Sequence, residues 1–133
     1  MLNRDYRMRD EIVFGSYDPS RYLGGVVRVR VPYDTIIKLV NHNFVDLNDA
    51  QNCSPSAQEF IEICESNKKN VDFEIYLVEH TRDDYRVTIE GVIETVPFNF
   101  QDMLCEHISE FRFADEFTLK RSDKGFFLRA WWD

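Results

Sequence analysis

The chain has 133 residues, a length that fits one domain able to bury an ordinary core without metal or disulfide staples. Charged residues make up 30% and aromatics 14%, with eleven Phe, so the composition excludes a disordered chain and predicts a Phe-rich core. The net charge of −8 is uneven: residues 1–32 carry six Arg against Asp5, Asp10, Glu11 and Asp18, for +2, and residues 33–133 carry ten Lys/Arg against twenty Asp/Glu, for −10. An acidic body disfavours nucleic acid and anionic membrane and steers basic partners inward.

Residues 1–24 read as a less regular N-terminal segment, an arm or a short strand (Ile12-Val13-Phe14) wrapping the domain, with a turn-like Gly15-Ser16-Tyr17-Asp18-Pro19-Ser20. Val26 to Val31 alternates valine with arginine, the pattern of a half-buried strand that Pro32 stops. Asp34 then caps a helix whose apolar face is Ile36, Ile37 and Val40, ending at Asn41-His42-Asn43. The segment 44–60 is the most specialised loop, rich in amides and hydroxyls between apolar anchors. Ser54-Pro55 predicts the next helix start, with Ala57, Phe60, Ile61 and Cys64 at helical spacing.

Val71 to His80 alternates again, with Val71, Phe73, Ile75 and Leu77 inward. The return strand follows a hairpin loop at Thr81 to Asp84. Strict period-two reading turns Tyr85, Val87, Ile89, Gly91 and Ile93 inward and Arg86, Thr88, Glu90, Val92 and Glu94 outward. Pro97 breaks this strand. Asn99 is placed to cap a helix with Phe100, Met103, Leu104, Ile108 and Phe111 on its buried stripe. A last hairpin joins Phe117–Lys120 to Phe126–Trp132 through Ser122-Asp123-Lys124-Gly125.

The order β-α-α-β-β-α-β-β predicts a single α+β domain, 1–133, with a mainly antiparallel sheet of about five strands and about three helices on one face. In the last strand Phe126, Leu128, Ala130 and Trp132 suffice for the core. Phe127, Arg129 and Trp131 then point the other way, so the strand either has both faces covered within the fold or presents a binding surface, aromatics beside arginine being the residue types of contacts between proteins.

Three scattered cysteines, Cys53, Cys64 and Cys105, with no CxxC, match neither a disulfide scaffold nor a zinc ribbon. No apolar run is long enough to span a bilayer, and Met1 to Ile12 does not read as a signal peptide, so a cytoplasmic location is expected. Asn52-Cys53-Ser54 is a chance glycosylation sequon on that reading.

Chemistry is sparse. Cys105-Glu106-His107 supplies a thiol and an imidazole, but residues two apart on a helix point away from each other, so the pattern reads as a small core thiol beside a boundary histidine. His42, His80 and His107 are scattered and make no metal-ligand spacing. Glu59, Glu62 and Glu65 recur as a solvated helix face. Asp46-Leu47-Asn48-Asp49 lacks the glycine and terminal glutamate of a calcium loop. No phosphate-binding glycine motif or nucleophile elbow occurs, and Arg4, Arg7, Arg9, Arg28 and Arg30 make too small a basic stripe to overcome the acidic body.

No cofactor and no metal are expected. The residues point to a non-catalytic acidic protein-binding module of inhibitor, immunity or adaptor type. Its expected partner is a protein, a basic one being compatible with the charge, met through Phe127, Arg129, Trp131, Asp46 and Asp49, with homodimerisation through the C-terminal strand compatible. The alternative is a small ligand-binding domain or hydrolytic enzyme with a pocket between sheet and helices.

Overall fold

The computed structural model describes residues 1–133. Five antiparallel strands, β1 (Val26–Pro32), β2 (Val71–Val78), β3 (Val87–Val96), β4 (Glu116–Arg121) and β5 (Phe126–Trp131), form one sheet in the order β1-β2-β3-β5-β4. Four α-helices accompany it: α1 (Tyr6–Phe14), α2 (Tyr33–Asn41), α3 (Ala57–Cys64) and α4 (Gln101–Phe111). Short 3-10 turns at Pro19–Tyr22 and Glu65–Asn70 lead into β1 and β2. The α+β class and the predicted strand order along the chain hold, with one helix more than expected.

Val27, Val29 and Val31 of β1 stand opposite Leu77, Ile75 and Phe73, and this valine-lined face receives α2, α3 and α4. Phe60 of α3 is the hub: its ring lies 6.0 Å from Phe73, 5.9 Å from Phe111 and 5.4 Å from Trp132. Offset and edge-on aromatic packing of this kind adds to the burial of large apolar area. Phe44, Leu128 and Ala130 are also fully buried in this core.

The N-terminal arm is a correction. Residues 12–14 are not a strand but the last turn of α1. Asp5 caps the helix by accepting the Met8 N–H, and Gly15, at φ 79°, closes it in the left-handed conformation that glycine tolerates. The helix buries a charge pair rather than an apolar stripe. The Arg9 guanidinium donates to Asp10 at 3.0 Å, to the Val78 carbonyl at 2.8 Å and to the Tyr22 hydroxyl at 2.9 Å, while Tyr22 donates to Asp10 at 2.7 Å. Burial raises the Tyr22 phenol well above its usual range, and Asp10 adds to the effect.

Caps move by a residue or two. α3 starts after Ser56, whose hydroxyl accepts the Glu59 N–H while Glu59 reaches back to the Ser56 N–H, a complete capping box. Ser54 instead accepts from Gln51 N–H inside the preceding loop. Asp34 lies in the first turn of α2 rather than capping it, and Phe100, not Asn99, precedes α4. Phe100 is exposed and so leaves the predicted buried stripe.

The larger correction is in β3. Ile89 faces Ile75, but Gly91 faces Glu74, so Glu90 is an extra residue with no counterpart. This β-bulge reverses the alternation beyond it. Val92, Glu94 and Val96 turn into the core, and Gly91 and Ile93 turn out, opposite to strict period-two reading.

Candidate functional site

The helices all lie on one side, so the outer face of the sheet carries no covering layer. Cross-strand pairing lays its side chains out in rows: Arg28, Tyr76 and Thr88 in one; Arg30, Glu74, Gly91, Trp131 and Glu116 in the next; then Asp72, Ile93, Arg129 and Thr118; then Thr95, Phe127 and Lys120. Phe127, Arg129 and Trp131, singled out in the sequence, therefore share one open face, each half-buried among its neighbours.

Ion pairs organise this face. Glu74 grips Arg129 with both oxygens, at 2.8 Å from Nε and 3.1 Å from Nη2, and Glu116 approaches Nη1 at 3.4 Å. The Glu74 hydrogen bond raises the already high pKa of the Arg129 guanidinium, burial partly opposing. Arg30 Nε lies 2.7 Å from Asp72, and Arg28 Nε lies 3.2 Å from Glu90. Burial pushes the Glu90 carboxyl up, while Arg28 and the Trp131 side chain act against that shift. An exposed pair such as Arg30–Asp72 adds little stability, but a two-pronged Arg–carboxylate contact fixes orientation. Arg28 and Arg86 also lie over the Tyr76 ring, at 5.4 and 5.6 Å, and the Lys120 ammonium lies 5.2 Å from the Phe127 centroid.

The bulge makes the centre of the face. Gly91 sits beneath Trp131; a Cβ there would lie 2.8 Å from the Ala130 carbonyl and 3.2 Å from the Trp131 ring. The absence of a side chain lets the indole lie close to the sheet. Ile93, turned to this face by the bulge, lies buried beneath its neighbours, whereas strict alternation assigned it to the core.

Asp49 and Asp46 part company. Asp49 accepts the Thr88 hydroxyl at 3.1 Å and so joins the rim of the sheet face. Asp46 turns back on its own loop, accepting the Asn48 N–H at 2.9 Å, and is not brought to the face. The two edges of β5 are both taken, by β3 and β4, so the C-terminal strand offers only its face to another molecule.

A second cluster lies on the opposite side of the sheet. His107 Nδ1 meets Glu94 Oε1 at 2.7 Å, and Asn67 Nδ2 donates to the same oxygen at 3.0 Å and to the Thr95 carbonyl at 3.1 Å. His107 is fully buried and Cys105 exposed, the reverse of the core thiol and boundary histidine expected, so the two point apart. Burial drives the His107 imidazole down, but the Glu94 hydrogen bond and charge outweigh it and the net direction is up. The nearby Cys64 thiol is pushed up by burial, reinforced by the Glu94 charge, which disfavours its thiolate. His80 instead stacks on Tyr6 at 3.7 Å, and His42 ends α2 in solvent.

Models of known protein families, curated proteins and solved structures yield no match to this chain. No helix is long and apolar enough to cross a membrane.

Proposed function

We propose that the chain is a non-catalytic protein-binding module that docks a basic protein on the outer face of its sheet. The observation that carries this reading is the gathering of half-buried Trp131, Phe127 and Tyr76 among arginines on a face no helix covers. Tyr, Trp and Arg are the residue types that dominate interface energetics. The guanidinium groups of Arg28, Arg30 and Arg129 are each engaged by a carboxylate, so the face repels a cationic partner little. Overall charge supplies the attraction at longer range: −8 for the chain, with Glu59, Glu62, Asp102, Glu106 and Glu110 on α3 and α4, helices that hold no Lys or Arg.

The test is affinity capture from the native host with the wild-type protein, a Trp131→Ala/Phe127→Ala variant and a Glu106→Gln control on the helical side. A basic protein retained by the wild type and the control but lost by the double variant, with unfolding still cooperative, is the expected result. Equal retention by the folded double variant would overturn the reading.

A further inference from the structure

The sheet has two free edges, and they differ. β1 ends in Pro32, and the 3-10 turn Pro19–Tyr22 packs beside it. β4 has neither Pro nor Gly nor bulge, and its pairing with β5 runs unbroken over six residues. Five of those six residues are exposed, Leu119 among them, and Phe113 just before the strand is 80% exposed. A regular uncovered edge is a template for another strand unless charge or shape blocks it.

The backbone groups that face outward can be assigned. Ser122 N–H donates to the Gly125 carbonyl at 2.8 Å, which fixes the phase of the antiparallel ladder. Lys120, Thr118 and Glu116 then bond to β5, and Phe117, Leu119 and Arg121 direct their N–H and C=O groups away from the sheet.

The side chains on this edge are complementary to their own reverse. The sequence Asp115-Glu116-Phe117-Thr118-Leu119-Lys120-Arg121 has two acids at one end, two bases at the other and two apolar residues around a central threonine. Antiparallel pairing about Thr118 sets Glu116 opposite Lys120 on the outer face, twice. On the helix-bearing face it sets Phe117 opposite Leu119, twice, and Asp115 opposite Arg121 at the ends. The backbone groups of Phe117 and Leu119 point away from β5, so this register also makes them hydrogen-bonded pairs. The pleat allows shifts only by an even number of residues. The adjacent registers set Phe117 against Arg121, or Leu119 against Asp115, and lose the charge match. Parallel pairing would stack acids on acids and bases on bases.

We infer that the chain associates with a second copy of itself through β4, antiparallel about Thr118, in one continuous ten-stranded sheet. The symmetry axis stands perpendicular to the sheet, so both outer faces lie on the same side. The Glu116 carboxylate is 60% exposed and held by Arg129 only at 3.4 Å, and Asp115 accepts the Asp133 N–H at 2.7 Å with one oxygen.

The test is the solution mass of the full chain over a concentration series, by sedimentation equilibrium, for five proteins. The wild type is expected to be a dimer. Lys120→Glu and Glu116→Lys alone each place like charges together twice and should weaken the dimer by about tenfold or more. The Glu116→Lys/Lys120→Glu double variant restores opposite charges and should recover wild-type dimerisation. Leu119→Pro removes an N–H that β5 does not use, so the monomer should fold and remain a monomer. Thermal melts of each variant monitor folding. A wild type that stays monomeric at its highest soluble concentration overturns the inference. So does a dimer indifferent to Leu119→Pro, or a double variant that fails to recover.

Discussion

His107 and Glu94 meet at 2.7 Å with both side chains withdrawn from water. The imidazole's folded pKa is raised, so the folded state holds this proton more tightly than the unfolded chain does. The stabilisation is therefore fully present below the unfolded value of about 6.5 and is lost as pH rises through the raised folded value. Urea unfolding of the wild type and of His107→Gln should show a stability difference that shrinks from pH 6 upward. A difference independent of pH would mean that the imidazole titrates alike in the folded and unfolded chain, and one that grows with pH would mean that it is held neutral in the fold. The position of His107 was legible in part: Leu104, His107 and Phe111 recur on one helical stripe, a spacing that marks burial for any residue type. Its partner was not legible, because Glu94 reaches the core only through the bulge. That Phe127, Arg129 and Trp131 share one face was legible because β5 alternates without interruption.

At the scale of the element, hydropathy period served where burial was apolar and failed where it was not. β1, β2 and β5 follow their patterns, and α4 does so at Leu104 and Phe111 but not at Phe100. α1 does not, because the side chains it buries deepest are Arg9 and Asp10, which any hydropathy reading assigns to solvent. The bulge at Glu90 is invisible to alternation, although Gly91, a glycine inside a strand, is the residue that marks such sites. Gly91→Ala should destabilise the fold by about 1–3 kcal/mol, since the new methyl meets the Ala130 carbonyl at 2.8 Å, backbone that cannot step aside cheaply. Chemical denaturation measures this, and a loss near zero would show that the strands separate there at little cost.

At the scale of the whole molecule, the class and layer arrangement were readable because short loops between alternating segments force antiparallel pairing. The sheet order was not: β5 inserts between β3 and β4, and no local pattern reports which of two neighbours a hairpin docks against. Charge acts at this scale too. With −8 on the chain, association with a basic partner should slow as salt rises, because the field is screened within about 8 Å at physiological ionic strength. Stopped-flow association rates over a salt series check this, and a flat series would remove long-range steering from the account.

Glu90 works as a spacer that sets the counting frame of β3. Take it out, and Ile89 still faces Ile75, Gly91 still faces Glu74, and every later residue keeps its side of the sheet. What goes is the ion pair to Arg28 and the extra local twist. Take out Val92 instead, and Ile93 is carried inward while Glu94 swings away from His107. In this strand the severity of losing one residue is decided by parity, not by the size or charge of what is lost.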